Sequence, residues 1–306
     1  MKVLIVSGFL GAGKTTFIRE MSRKTSLDFV VMENEYGEVG IDADLLDNDR
    51  QMDIWELTEG CICCSMKSDF ASSVLTIANT LDPEYLIVEP TGVGVLSNVI
   101  RNLQQIQYQR ITLLSPVTIL DARNFNDSLR EYRELMEDQI RAAGTIVVSK
   151  RDFGDSGASP EARLLETEIR RLNPGARIQI PHYSALPAEW WKDLLTTDLE
   201  GRKTVSSSLE TPDLENLGLK NISLPSGNHL IAFLERLISG AYGNIWRAKG
   251  FVRTGDCWLR FDVVNGQYTI TGFQETEIPK SIFIGKNLQR GALRKALLLQ
   301  EGAAGN

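Results

Sequence analysis

The sequence is short of most things that mark a membrane, secreted or nucleic-acid-binding protein. None of its apolar runs approaches the ~20 consecutive residues that a membrane-spanning helix needs. Glycine and proline are not inflated, and no repeat or low-complexity tract occurs, which leaves no room for long disorder. Positive charge is also lacking: 33 Lys and Arg stand against 40 Asp and Glu, a formal net charge of −7. Such a chain repels a phosphate polymer, so nucleic acid is not an expected partner, although a small nucleotide can still bind at a local positive site. Cysteine is scarce, four in all, yet Cys61, Cys63 and Cys64 fall within four positions. That clustering argues for metal or redox chemistry over a disulfide scaffold. The first apolar run, Val3-Leu4-Ile5-Val6, is too short for a signal sequence and leads straight into a glycine loop. A cytoplasmic location with reduced thiols, and no membrane partner, is therefore expected.

What is present has the organisation of a layered α/β protein. Apolar β-rich runs at Lys2–Ser7, Phe29–Glu33, Tyr85–Glu89, Val117–Asp121, Thr145–Ser149 and Arg177–Pro181 alternate with helical stretches at Thr15–Ser22, Ser68–Thr80, Leu129–Ala143 and Glu161–Leu172. Several of the runs are apolar throughout, as strands are when helices cover both faces of a parallel sheet. The alternation predicts a doubly wound, mostly parallel sheet over residues 1–200. Residues 201–220, with Thr204-Val205-Ser206-Ser207-Ser208, Pro212 and Gly218, read as a linker. Residues 221–306 then predict a smaller α+β domain: a strand near Ile222–Leu224, a helix over His229–Ser239, four strands between Ile245 and Ile284, and a helix over Leu288–Leu299. Thr254-Gly255-Asp256 and Asn265-Gly266 are hairpin signals between those strands.

Gly8-Phe9-Leu10-Gly11-Ala12-Gly13-Lys14-Thr15 fits G-x-x-x-x-G-K-[ST] between an apolar strand and a helix. Gly8, Gly11, Ala12 and Gly13 let backbone N–H groups turn inward around phosphate oxygens, and the helix that follows presents its positive end. Lys14 adds a point charge toward the β- and γ-phosphates, the Thr15 hydroxyl is placed to ligate Mg²⁺, and Thr16 continues the first turn. A chance turn with a lysine is the bland alternative. Downstream, Leu86-Ile87-Val88-Glu89-Pro90-Thr91-Gly92 ends an apolar strand on a carboxylate. Glu89 there can hold the magnesium shell or the attacking water, and the Gly92 N–H can meet the γ-phosphate. Read blandly, Glu89 marks a strand end and Pro-Thr-Gly a turn.

The base is read further along. Ser149-Lys150-Arg151-Asp152 follows a strand where GTPases carry Asn-Lys-x-Asp. The Asp152 carboxylate can accept both N1–H and the exocyclic N–H₂ of guanine, a donor pair that adenine lacks, and such a site can reject the wrong base by ~10⁴. Lys150 would lie over the base plane. Ser149 is a departure, because asparagine at this position also ties the loop to the phosphate loop, and a weaker grip on the base is one consequence. Ser184-Ala185 follows the next strand, where a backbone contact to the base is often made.

Gly60-Cys61-Ile62-Cys63-Cys64 is the least ordinary segment. Thiolates are soft ligands suited to Zn²⁺, Co²⁺ or Cu⁺, and three cysteines leave coordination incomplete, which suits an ion that must be released. A redox pair or three buried small residues are the other readings of the same cluster. Taken in order, Gly8–Thr15, Glu33-Asn34-Glu35-Tyr36-Gly37-Glu38-Val39-Gly40-Ile41-Asp42, Gly60–Cys64 and Glu89–Gly92 resemble the CobW family of P-loop GTPases, which are similar to HypB, UreG and MeaB. Arg247-Ala248-Lys249-Gly250 and Phe283-Ile284-Gly285-Lys286-Asn287-Leu288 resemble two patches of that family's C-terminal domain, so the likeness covers nearly the whole chain.

The resemblance implies a GTP-driven metallochaperone for zinc or cobalt, or a factor in cobalamin metabolism. Cys61, Cys63 and Cys64 become ligands of the carried metal, and Glu35 and Asp42 become candidates for switch or magnesium contacts, against the plainer reading of a solvated acidic loop. Expected partners are GTP and a client metalloprotein or cobalamin-pathway protein, with homodimerisation left open. Family members often carry a histidine-rich tract between domains, whereas this chain has only His182 and His229, which disfavours metal storage. His182 is read as packing or capping, His229 as solvated, Cys257 as a small core residue, and Trp190-Trp191 as half-buried packing. Three rivals remain: a GTPase chaperone of a corrinoid enzyme that carries no metal, a small-molecule kinase, and a redox-regulated binding module. For the kinase, neither an acceptor site nor a basic lid is visible.

Overall fold

The computed structural model describes residues 1–33, 52–56, 67–108, 110–151, 159–199, 209, 214–255, 257–264, 266–273 and 278–298, of which 52–56 and 67–69 as backbone alone. The described chain divides into two units, one up to Leu209 and one from Leu214 onward.

The first unit is built on a parallel sheet. Its strands are β1 (Lys2–Gly8), β2 (Phe29–Glu33), β3 (Met52–Glu56), β4 (Tyr85–Glu89), β5 (Thr112–Leu113), β6 (Val117–Asp121), β7 (Thr145–Ser149) and β8 (Arg177–Gln179). They lie in the order β3-β2-β4-β1-β6-β7-β8, with β5 beside the start of β1. β1 is central because Val3 to Val6 are apolar on both faces and buried on both. The helices are α1 (Lys14–Thr25), α2 (Lys67–Thr80), α3 (Leu96–Gln104), α4 (Phe125–Glu131), α5 (Arg133–Ala142), α6 (Pro160–Leu172) and α7 (Ala188–Leu194).

Two apolar layers flank the sheet. On one face Phe17, Ile18 and Met21 of α1 pack with Tyr183, Trp190 and Trp191 against Leu4, Val31 and Ile119. On the other, Phe70, Val74 and Ile77 of α2 and Leu96, Val99, Ile100 and Leu103 of α3 cover Val3, Ile5 and Val30. The tryptophan pair is thus more deeply placed than half-buried: Trp191 is 0% exposed, its ring 4.9 Å from that of Phe17. The helix expected over Leu129–Ala143 is two helices broken at Tyr132, whose φ of −122° and ψ of 41° leave the helical region. The Tyr132 ring stacks on Phe9 of the glycine loop at 4.7 Å, a tertiary contact that local helical spacing does not encode.

The second unit holds a mixed sheet of β9 (Glu215–Lys220), β10 (Ser223–Leu224), β11 (Asn244–Thr254), β12 (Cys257–Val264), β13 (Gln267–Gly272) and β14 (Lys280–Lys286). The order is β13-β12-β11-β14-β9, antiparallel throughout, with the short β10 parallel to β11. α8 (Gly227–Ile238) and α9 (Arg290–Leu297) press Leu230, Phe233, Leu234, Leu293 and Leu297 onto Ala248, Val252, Phe261 and Phe283. The pairs Thr254↔Cys257 and Val264↔Gln267 close tight hairpins, with Gly255 and Gly266 at φ 62° and 69°.

Two further expectations are corrected. Residues 215–220, read as the end of the linker, form β9 and pair with β14, burying Leu217 and Leu219. Their two-residue period is short and interrupted by Gly218, so the signal was lost in the polar stretch before it. Cys257 is exposed. It shares the inward period of Phe261 and Val263 but sits at the strand's end beside the hairpin, where the apolar cover runs out. Among the described residues, no helix is long and apolar enough to cross a membrane.

Candidate active site

The central strand β1 ends at Gly8, between β4 on one side and β6 on the other. From β1 the chain crosses over toward β2 and from β6 toward β7, in opposite directions, and ligands of open α/β sheets bind at such a switch point. At Gly8 a Cβ would stand 2.4 Å from the Ile119 carbonyl oxygen, so any side chain would push β1 off β6. Gly11 and Gly13 take φ of 72° and 99°, left-handed values that favour glycine. The Ala12 N–H closes the loop onto the Phe9 carbonyl at 3.1 Å. Gly13 then begins α1 without a capping side chain, and no acidic residue occupies the first turn. The first turn of α1 thus carries no carboxylate of its own to compete with phosphate for the N–H groups at this helix start.

Lys14 is buried, its Nζ 3.9 Å from Glu89 Oε1. The Thr15 hydroxyl donates toward the same carboxylate, 3.2 Å from each oxygen. A cation, a hydroxyl and a carboxylate from two elements 74 residues apart therefore converge at one spot. Thr16 is exposed on the first turn of α1. Gly92 lies against the glycine loop backbone to backbone: a Cβ there would come within 2.5 Å of the Leu10 nitrogen.

At the end of β7, the Ser149 hydroxyl donates to the Ala12 carbonyl at 2.6 Å, with the Leu120 carbonyl at 3.1 Å. The Ser149 side chain thus ties the end of β7 to the glycine loop, although it is shorter than asparagine. Lys150 follows at φ 51°, its Nζ 3.3 Å from Asp121 Oδ2. Arg151 donates to the Ile180 carbonyl, joining the segment after β7 to the residue that follows β8. Ser184 and Ala185 lie in a 3-10 turn after β8, which His182 caps by accepting the Ser184 N–H at Nδ1, 3.3 Å away. His182 therefore caps, as expected. His229 is exposed near the start of α8, with Ser226 Oγ 2.9 Å from its Nδ1.

Three residues are not singled out as site candidates by the sequence, although Glu33 heads the segment read as a switch. Asp121 ends β6 and holds Lys150, while accepting the Arg123 N–H and Asn124 Nδ2 at 3.0 Å each. Glu33 is buried and stands in register with Glu89 on one side and Glu56 on the other, so three neighbouring strands end on glutamate. Asp121 and Glu33 each close an apolar run, the same signal that singled out Glu89. Gln139, fully buried on α5, gave no sequence signal at all. Glu35, Asp42, Cys61, Cys63, Cys64 and Asp152 lie outside the described residues. Among the described residues, no group of three or more His, Cys, Asp or Glu side chains is arranged to hold a metal.

A glycine loop at the end of a central parallel strand, with lysine, threonine and a facing carboxylate, defines a P-loop nucleotide-binding protein. The chain belongs to the CobW/HypB/UreG family: the family's nucleotide-binding domain matches residues 2–179. The cobalamin synthesis protein cobW C-terminal domain matches residues 226–299. Relatives include the zinc chaperone YjiA of Escherichia coli (strain K12), 30% identical over 184 residues, 58% of this chain and 56% of that one. Zinc-regulated GTPase metalloprotein activator 1 of Dictyostelium discoideum is 25% identical over 304 residues, 82% of this chain and 62% of that one. The chain spans about half the length of the first curated relatives it matches. The crystal structure of Zn(II)-bound YjiA GTPase from E. coli aligns over 97% of both chains at 20% identity, with a TM-score of 0.47.

Proposed function

We propose that this chain binds and slowly hydrolyses GTP, and uses that cycle to carry a thiophilic divalent ion to a client metalloprotein. The carrying observation is the convergence of Lys14, Thr15 and Glu89 at the end of β1. Backbone N–H groups of Gly11 to Lys14 hold the phosphates, Lys14 offsets their charge, and the Gly92 N–H meets the γ-phosphate. Thr15 and Glu89 offer hard oxygen donors side by side, a set that fits Mg²⁺, which when bound neutralises charge on the β- and γ-phosphates. Glu89 also orients the attacking water. Ser149 fixes the base loop to the phosphate loop, and Asp152 selects guanine. Turnover is slow because the motifs contain no arginine finger, and a partner completes the site.

The cargo sits on Cys61, Cys63 and Cys64, and the relatives' names favour zinc over cobalt. The γ-phosphate orders the segment Glu33–Asp42 and brings the thiolates into ligand geometry, and hydrolysis loosens it. Titrating Co²⁺ into the reduced protein tests this through the thiolate-to-cobalt charge-transfer band. A non-hydrolysable GTP analogue with Mg²⁺ is expected to tighten cobalt binding about tenfold or more over GDP, a coupling of ordinary allosteric size. Serine at any of the three cysteines weakens the band. Equal affinities in both nucleotide states refute the coupling.

A second reading rests on the description of the C-terminal family as cobalamin synthesis. In it the chain acts as GTPase chaperone to a corrinoid enzyme and carries no metal. Copurification with a cobalamin protein, without metal on the thiols, separates the two.

A further inference from the structure

Gln139 and Asp138 are buried polar residues on a helix whose other buried side chains include Leu135, Met136 and Ile140. Both reach toward one short loop. Gln139 Nε2 donates to the carbonyls of Gly92 and Gly94, each at 3.2 Å. Asp138 Oδ2 accepts the Ser97 N–H at 3.2 Å, capping helix α3, whose own N-cap residue is Val95 and cannot do so. The loop thus receives from α5 what its own residues lack. Gly92 and Gly94 have no side chains with which to fix themselves.

The reach is referenced to the sheet beside the glycine loop. Thr118 on β6 donates its hydroxyl to the Gln139 carbonyl at 2.9 Å, and β6 pairs with β1 through Ser7↔Thr118. The Gly92–Val93 peptide is held at both ends, its oxygen by Gln139 and its N–H by Thr91 Oγ1 at 3.2 Å. Meanwhile Gly92 sits flush on Leu10. Gln139 Oε1 is buried with no hydrogen-bond partner, so the amide engages this loop through its donor group alone.

We propose that Gln139 is a positioning residue for catalysis. Acting through Gly92, it holds the loop after β4 where the Gly92 N–H meets the γ-phosphate, and Asp138 keeps α3 in step. This rests on the reading that GTP occupies Gly8–Thr15. It separates two nucleotide states: GDP has no γ-phosphate for Gly92 to meet, so its affinity does not depend on this amide.

The test uses the full chain as wild type, Gln139→Met and Gln139→Glu, two replacements of similar shape. GTP turnover and the affinities for GDP and a non-hydrolysable GTP analogue are measured across the neutral pH range. In Gln139→Met, kcat is expected to fall about tenfold to a hundredfold and the GTP analogue to bind more weakly, with GDP affinity held within about twofold. Gln139→Glu regains part of that loss at the acidic end, where a protonated carboxyl can donate one hydrogen bond, and loses it as pH rises. Wild-type kcat in Gln139→Met overturns the proposal. So does an equal loss of GDP and GTP-analogue binding in both variants with no added pH dependence, the mark of a merely structural residue. If Gln139→Met does not fold, the pH profile of Gln139→Glu against wild type decides alone. Failure of the wild type to bind GTP sinks the nucleotide reading itself, and is seen before any variant is compared.

Discussion

Alanine at Gly92 is expected to cut GTP turnover by about a hundredfold or more, the usual cost of misplacing a reacting group by about 1 Å. The added Cβ would stand 2.5 Å from the Leu10 nitrogen, 2.8 Å from its Cα and 2.9 Å from the Phe9 carbonyl carbon. All three are backbone atoms, so no side chain can swing aside and one loop must move. The glycine loop is braced by Ser149 through Ala12, and the Gly92 loop by Gln139. Whichever yields, the N–H meant for the γ-phosphate is displaced from the phosphate cradle. Overpacking of this kind also destabilises by about 1–3 kcal/mol. Steady-state kinetics with a parallel thermal melt checks both effects. Wild-type kcat in a folded Gly92→Ala protein means that this loop takes no part in turnover.

Lys14→Ala is expected to lower kcat/KM for GTP by about 10³, equivalent to roughly 4 kcal/mol of transition-state stabilisation. Lys14 is almost wholly inside, and its ammonium offsets the Glu89 carboxylate across 3.9 Å. Two effects therefore combine. The phosphates lose a preorganised charge in a site shielded from water, and Glu89 keeps its negative charge facing the incoming phosphate. GDP affinity is expected to fall too, which distinguishes this substitution from those at the Gly92 loop. Fluorescent-nucleotide titration reads it directly.

The difference between the two sites also marks what a sequence can disclose. Gly8–Thr15 was legible because the chemistry demands glycines and a lysine at fixed spacing, between a strand and a helix that periodicity locates by itself. The interior strands were legible for a related reason: Val3 to Val6 and Leu86 to Val88 are buried on both faces and must be apolar throughout. Short or peripheral strands carry no such demand. β3, at the edge of the sheet, mixes Asp53 and Glu56 with Ile54 and Trp55, and β9 carries Gly218 mid-strand.

At the site, what was hidden is what only tertiary packing creates. Ser149 looked like a weakened asparagine, yet its hydroxyl reaches Ala12 across 137 residues of chain. Asp121 reads as the polar end of a strand until β6 and β7 pair it in register with Ser149, beside Lys150. Gln139 is one amide in an amphipathic helix, and only the fold shows two glycine carbonyls above it. Exposed Cys257 shows the reverse error, an inward period at a strand end that the covering helices do not reach.

One measurement bears most directly on the claim that nucleotide state governs the metal. The reduced chain is loaded with one equivalent of zinc and mixed with Mg·GTP in a single turnover, while phosphate release and zinc capture by a chelating dye are followed together. Zinc is expected to become available in step with phosphate, and to stay bound when the analogue cannot be cleaved. Zinc that escapes at the same rate with GTP, GDP and the analogue would contradict the account and leave a plain nucleotide hydrolase.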